Sequence, residues 1–163
     1  MPVFLDIEAS GLSDHSYPIE IGWAIPFGEE RGYLIRPATG WTYWSPIAEE
    51  VFHNISRDKL MREGIDVYNA VRQIEGALVG HEVYSEDPEQ DGWWLERLYR
   101  AAHEPCQIVV RDANALFDAL RGWRDLAAFR RSVAATFPHV HRAVPDARQL
   151  AEFWKLLSKA ASA

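Results

Sequence analysis

The fold is decided by the stretch PVFLDIEASG at residues 2–11, which runs from apolar side chains into two carboxylates. A short apolar run that ends in a carboxylate predicts a buried strand at residues 2–6, with Asp6 at its C-terminal end. Because side chains along a strand alternate between its faces, Asp6 and Glu8 lie on the same face. Neighbouring carboxylates repel each other, so the pair predicts a shared proton or a divalent cation between them, unless the two are ordinary solvated residues at a strand end.

The rest of the chain predicts an α/β fold built on a mixed five-stranded sheet. Turn residues after Gly11 and around Gly28 separate three consecutive strands, which is typical of an antiparallel meander. Two later strands alternate with helices, so we expect parallel strands there and helices on both faces of the sheet. The predicted strands are residues 2–6, 18–25, 32–35, 81–85 and 107–111, and the predicted helices are residues 66–78, 92–102, 112–120, 125–136 and about 146–159, with short helical turns at 47–52 and 56–62.

Length and composition predict a single domain over residues 1–163. The chain has 48% hydrophobic side chains, enough for one core, and no Pro/Gly/Ser-rich linker divides it. Its single cysteine, Cys106, excludes an internal disulfide and a zinc cluster, which fits a reducing compartment. The sequence reaches Asp6 before any run long enough for a signal peptide, and no segment approaches a membrane-spanning length. We therefore expect a cytoplasmic protein with no membrane partner.

The net charge bears on the kind of site. A formal charge of −7 argues against a protein that grips nucleic acid by bulk electrostatics, since such binders present Lys and Arg to phosphates. Acidic residues that hold divalent cations are compatible with a phosphate substrate, because the metals present positive charge to it. The composition therefore favours a local site over a basic surface.

Two motifs, one near each end of the chain, resemble those of a nuclease family. The residues FLDIEASGL at 4–12 precede a strand that carries Ile-Glu-Ile-Gly at 19–22, and His141 is followed five positions later by Asp146 in the stretch HRAVPDA. Together they resemble the motifs of the DnaQ-like, or DEDDh, 3′-to-5′ exonucleases. Pro145 is expected to set the start of the last helix at Asp146.

This family also has an aspartate at the head of a helix between the two motifs. Asp91 is the best match, because Trp94 and Leu98 follow it at helical spacing. The family commonly has an asparagine four residues before this aspartate and an aromatic residue just before it, whereas this chain has Asp87 and Gln90. Asp87 is the competing candidate, and its other expected roles are to shape the loop or to bind a water of the metal shell.

The resemblance covers nearly the whole chain and implies a ribonuclease H-like fold with two divalent cations, Mg²⁺ or Mn²⁺. It implies that Asp6 bridges both ions and that Glu8 and Asp146 help to hold the first. Asp91 is then expected to support the second ion through bound water. Paired cations stabilise the phosphate and the leaving oxygen during phosphodiester hydrolysis, and hard oxygen ligands suit these metals.

The implied activity is removal of nucleotides from the 3′ end of single-stranded nucleic acid. His141 is expected to act as the general base, because the pKa of a histidine lies near neutral pH. His139 is the one competitor for that role, but its spacing to Asp146 does not match the motif.

The resemblance also implies that the loop after Glu8 contacts the terminal nucleotide. The backbone of Ala9 and Ser10 would lie near the sugar. Gly11 would permit close approach, and Leu12 would lie against a base. Most aromatic residues are expected in the core, and one or two could stack on unpaired bases. The aromatic candidates are Trp41, Trp44, Phe52, Trp93 and Trp94, and a basic stretch that could guide phosphates comprises Arg121, Arg124, Arg130 and Arg131.

Two rival functions use the same residues differently. A non-catalytic nucleic-acid-binding or scaffolding module would keep the fold, but decay of a catalytic site usually removes at least one of the five residue types present here. A sugar hydrolase using Asp6 and Glu8 as a proton-sharing pair would not need Asp91, His141 or Asp146. The sequence leaves the preference for RNA or DNA open, and a homodimer is consistent with its aromatic content.

Overall fold

The computed structural model describes residues 1–122 and 125–161, so Arg124 of the basic stretch lies outside the described residues. Within these ranges, no helix combines the length and the apolar character needed to cross a membrane. The strands are β1 (Pro2–Ala9), β2 (Pro18–Ala24), β3 (Glu30–Leu34), β4 (Glu82–Ser85) and β5 (Val110–Asp112). The helices are α1 (Arg57–Glu63), α2 (Val67–Leu78), α3 (Pro88–Ala101), α4 (Ala113–Arg121), α5 (Leu126–Ala134) and α6 (Ala143–Ala161), and a π-helical turn spans Ala48–His53.

The five strands form one mixed sheet in the order β3-β2-β1-β4-β5. The first three strands pair antiparallel, whereas β1–β4 and β4–β5 are parallel pairs. This architecture confirms the predicted meander with added parallel strands. In the register of β1 and β2, Asp6 lies opposite Gly22 and Glu8 lies opposite Glu20.

Strand β1 is the centre of the sheet and carries two different faces. Val3, Leu5 and Ile7 belong to a core that includes residues of α2 and α3, whereas Phe4 belongs to a second core formed with α4, α5 and α6. Side chains alternate along a strand, so Asp6 and Glu8 share the face of Phe4. The two carboxylates therefore lie on the side of the sheet that α6 covers.

Two helices begin earlier than the sequence predicted. Helix α3 begins at Pro88 rather than at residue 92, because the Asp87 carboxylate accepts a hydrogen bond from Gln90 N and caps it. Helix α6 begins at Ala143, so Pro145 lies inside its first turn and not at its start. Proline is tolerated there because the first N–H groups of a helix have no intrahelical partner. Both aspartates of the predicted site, at 91 and 146, thus lie on a first helical turn.

Candidate active site

A cleft of about 640 Å³ opens where β1 ends, and it contains most of the residues singled out by the sequence. Its walls are formed by the loop after β1, the π-helical turn, α3 and the segment before α6. Its lining includes Asp6, Glu8, Ala9, Gly11, Leu12, Tyr43, Phe52, His53, Asp87, Asp91, His139 and His141.

Three carboxylates converge at this end of β1. Asp6 and Glu8 project from β1 and line the cleft, Asp146 lies buried on the first turn of α6, and one oxygen from each lies within 4.8 Å of the others. Asp6 Oδ2 is buried and has no hydrogen-bond partner among the described residues. A buried, unpaired carboxylate oxygen among other carboxylates is costly unless a cation pairs with it. The donor set therefore fits a hard divalent cation.

Burial and mutual repulsion raise the pKa values of Asp6 and Glu8. Burial raises the pKa of Asp6 well above its usual value, and the charge of Asp91 adds to the effect. Burial, followed by the charges of Asp146 and Glu20, raises the pKa of Glu8 to about 7, against a lowering by Arg142. The protein without metal therefore favours protonated carboxyl groups in the cleft at neutral pH, and a cation would displace those protons.

Asp91 lies in the same cleft but outside the group of three. It is the fourth residue of α3 and only 6% exposed. Burial raises its pKa to about 8, and the charges of Asp87 and Glu8 contribute. Asp87, one helical turn earlier, caps α3 and also lines the cleft. The two candidates for the family's aspartate therefore have different structural roles, Asp87 as the cap and Asp91 as a buried first-turn residue.

The two histidines before α6 form a chain with Asp146. His139 Nε2 lies 3.1 Å from His141 Nδ1, and His139 Nδ1 lies 3.2 Å from Asp146 Oδ2. His141 packs edge-on against the ring of Phe52 and adopts a left-handed backbone conformation, with φ of 53°. Burial and the neighbouring His139 lower the pKa of His141, while Asp146 opposes them. The competitor for the role of base is thus the hydrogen-bonding neighbour of the predicted base.

Asp146 is held by the backbone before its own helix. Its Oδ1 accepts from Val140 N at 2.9 Å and its Oδ2 from Arg142 N at 3.1 Å. Arg142 in turn pairs with Glu20 of β2, a buried acid to which the sequence reasoning assigned no role. The sequence signal for Glu20 was the stretch Ile-Glu-Ile-Gly at 19–22, and the strand register adds that Glu20 lies opposite Glu8.

The loop after Glu8 is built around Ser10. Ser10 is fully buried, its N–H donates to Tyr17 O and its carbonyl accepts from Ser45 N, so it holds the loop and does not line the cleft. Gly11 has φ of 154°, and a Cβ there would lie 2.9 Å from Tyr43. Leu12 is 85% exposed at the mouth of the cleft.

The aromatic and basic candidates divide into core and surface residues. Trp41 and Trp94 are buried, and Trp44 donates to Glu49. Phe52 and Trp93 are exposed, and of these two only Phe52 lines the cleft. In the basic stretch, Arg121 pairs with Asp118 and Arg130 with Glu86.

Comparison with solved structures shows where this fold has been seen. Exonuclease I of E. coli in complex with a dT13 oligonucleotide aligns with a TM-score of 0.74 at 14% identity, over 96% of this chain and 40% of that one. The complex with dA16 gives a TM-score of 0.75 at 14% identity, over 97% and 40%. Exonuclease I of Methylocaldum szegediense gives 0.69 at 15% identity, over 97% and 40%.

At these identities the likeness establishes the fold alone, and it confirms the ribonuclease H-like sheet. The chain spans about two fifths of the length of these exonucleases. No protein-family model and no curated protein matches the sequence.

Proposed function

We propose that this chain is a metal-dependent 3′-to-5′ exonuclease, a phosphodiester hydrolase acting on single-stranded RNA or DNA. The observation that carries the proposal is the convergence of Asp6, Glu8 and Asp146 beside an open cleft that Asp6, Glu8 and His141 line, with an Asp6 oxygen that has no partner among the described residues. The likeness to exonuclease I structures with bound oligonucleotides supports the same reading. We further propose that residues 1–163 act as one nuclease domain.

In this proposal, Asp6, Glu8 and Asp146 would hold one divalent cation, Mg²⁺ or Mn²⁺. Asp6 and Asp91 would help to hold a second. Such cations neutralise charge on a phosphate and lower the pKa of water. The raised pKa values of Glu8 and Asp91 support this assignment, because acids kept protonated by mutual repulsion release their protons to a cation.

His141 serves as the general base, and its neighbours favour one tautomer. His139 Nε2 lies 3.1 Å from His141 Nδ1, and Asp146 Oδ2 lies 3.2 Å from the other nitrogen of the His139 ring. When His141 carries its proton on Nδ1 and donates it to His139 Nε2, the lone pair on His141 Nε2 is left to take a proton from the attacking water. Burial and the neighbouring His139 lower the pKa of His141, which favours the neutral ring that a general base needs.

The apolar wall of the cleft supports a preference for the unpaired end of a nucleic-acid strand. Leu12, Tyr43 and Phe52 present apolar surface beside the carboxylates, and a base can stack on such a surface only when it is not paired in a duplex. The net charge of −7 supports binding at one local site near the strand end rather than along an extended basic groove.

The proposal is tested by digesting 5′-labelled single-stranded RNA and DNA of equal sequence with Mg²⁺ or Mn²⁺. We expect a ladder that shortens from the 3′ end and disappears with EDTA or with Asp6→Asn. Asp66→Asn is the matched control, because Asp66 caps α2 at the surface and asparagine caps equally well. Intact oligonucleotides under every condition would favour the non-catalytic module, and internal cuts would exclude an exonuclease.

A further inference from the structure

Two ion pairs join α6 to the antiparallel strands, and they differ in burial. Glu30 of β3 pairs with Arg148 at the surface, where both side chains are 39% exposed. Glu20 of β2 is 6% exposed and pairs with Arg142, the residue just before α6. The two arginine side chains are 38% and 39% exposed, so the pairs differ in the burial of their glutamates. Neither pair lines the cleft, but Arg142 directly follows His141, which does.

The Glu20 carboxylate binds the start of α6 through three hydrogen bonds. Its Oε1 accepts from Arg142 Nη2 at 2.6 Å, and its Oε2 accepts from Arg142 Nε at 2.9 Å and from Ala143 N at 3.0 Å. The bidentate geometry fixes the guanidinium in one orientation, and the third bond satisfies a free N–H of the helix terminus. Glu20 therefore restrains both the side chain and the backbone at this point.

The position of Glu20 connects this restraint to the carboxylates. Glu20 lies directly opposite Glu8 in the β1–β2 register, and Gly22 lies opposite Asp6. A Cβ at Gly22 would lie 2.5 Å from the backbone of Ala143, so β2 lets the helix start approach Asp6 closely. The contacts that Glu20 and Gly22 of β2 make with the start of α6 thus occur beside the two carboxylates of β1.

The restrained residue is also bonded to Asp146 and follows His141 in the chain. Arg142 N donates to Asp146 Oδ2, so any shift of Arg142 moves the Asp146 carboxylate. An ion pair with one buried partner loses most of its Coulombic gain to the desolvation of that partner, but its bidentate geometry is specific. Stability alone therefore does not account for an ion pair at this place.

We propose that Glu20 is a positioning residue that clamps Arg142 and Ala143, so that Asp146 and His141 face Asp6 and Glu8. The proposal rests on the proposed nuclease function for its consequence in catalysis. The clamp concerns only where Asp146 is held. Metal affinity and amide protection report on that position without any substrate.

The test compares Glu20→Gln with Glu30→Gln, which breaks the exposed pair between the same helix and sheet. For Glu20→Gln we expect Mn²⁺ affinity by calorimetry and kcat on a single-stranded oligonucleotide to fall by roughly 10- to 100-fold, with KM changed less. Hydrogen exchange of the Val140 and Arg142 amides, which donate to Asp146, should accelerate. Glu30→Gln should leave all three measurements at the wild-type values.

Wild-type values in Glu20→Gln, or equal losses in both variants, would overturn the clamp. If Glu20→Gln does not fold, Arg142→Lys replaces it, since lysine keeps the charge but loses the bidentate geometry. We then expect a smaller loss in the same three measurements, and wild-type behaviour would overturn the proposal. A wild-type chain that cuts no oligonucleotide would refute the nuclease function alone, because amide exchange still decides whether Glu20 holds Asp146.

Discussion

Helix α6 and the residues leading into it contain two segments that are held in different ways. The entry segment, His139–Ala147, is held by hydrogen bonds to carboxylates and by close backbone contact with β2. The core segment, Leu150–Leu157, is held by apolar side chains, and the ring of Phe153 packs against that of Phe117 with centroids 4.6 Å apart.

The entry segment sets the positions of the site residues, whereas the core segment stabilises the fold. Hydrogen bonds and backbone contact define atomic positions to a fraction of an ångström, whereas apolar burial contributes free energy and tolerates small shifts. Changes in the entry segment should therefore affect activity more than unfolding, and changes in the core segment should do the reverse.

The largest expected effect is on activity, from His141→Ala in the entry segment. Removing a general base typically costs roughly 10²- to 10⁴-fold in rate. The side chain lies at the cleft surface, so the thermal unfolding midpoint should stay within a few degrees of wild type. Steady-state kinetics and calorimetry measure the two quantities, with His81→Ala, an exposed histidine away from the cleft, as the control. Unchanged kcat would remove His141 from the mechanism.

The next effect is on stability, from Phe153→Ala in the core segment. Deleting a buried phenylalanine costs about 3 to 5 kcal/mol, which lowers Tm by roughly 6 to 20 °C in a chain of this size. We expect kcat per folded molecule at low temperature to stay at the wild-type value. Leu156→Ala, at a position 40% exposed, should change Tm far less. A large loss of kcat in folded Phe153→Ala would break the division between the segments.

The two cleft acids Glu8 and Asp91 should make the stability of the fold depend on pH. The pKa of Glu8 is raised in the folded protein to about 7 and that of Asp91 to about 8, so their neutral forms are favoured by folding. This contribution is fully present below about pH 4 and is lost as pH rises through 7 to 8. Without metal, Tm should therefore fall between pH 5 and pH 8, and Mn²⁺ should restore it most at pH 8.

Two variants sharpen this pH prediction by their contrast. Glu8→Gln should reduce the fall in Tm between pH 5 and pH 8, because one of the buried acids no longer ionises. Phe153→Ala should lower Tm by the same amount at both pH values, since no acid is involved. A fall in Tm with pH that Glu8→Gln leaves intact would show that other groups cause it.

A smaller loss of stability than that of Phe153→Ala is expected from Gly22→Ala, which acts on the entry segment from β2. Its Cβ would meet the backbone of Ala143, so the helix start must shift, at a cost of about 1 to 3 kcal/mol. We expect kcat to fall as well, because Asp146 moves with the helix. Gly76→Ala in α2 has open space around its Cβ and should raise stability by about 1 kcal/mol. Equal Tm values for the two variants would contradict the close approach.

Much of the candidate site could be predicted from local spacing. The period of two along β1 places Asp6 and Glu8 on one face, and the spacing of His141 and Asp146 spans a single helix start. The helix boundaries were harder to predict from the sequence. Helix α6 begins three residues before its predicted start because Glu20, distant in sequence, binds Ala143 N.

The choice between Asp91 and Asp87 as the family's middle aspartate was also limited by the unknown start of a helix. Hydrophobic periodicity located α3, but it could not reveal that Asp87 is the cap and Asp91 a buried first-turn residue. Capping depends on where the helix begins, and that in turn depends on Pro88 and on the end of β4.

The amino-acid sequence was enough to predict the mixed sheet, the two faces of β1, and residue types that could hold a cation. These follow from side-chain periodicity and local chemistry, which act between residues a few positions apart. The three-dimensional packing was needed to show that Glu20 holds the start of α6 and that His139 lies between His141 and Asp146. Such contacts depend on strand register and on the burial of residues up to 123 positions apart, and a linear pattern carries no record of either.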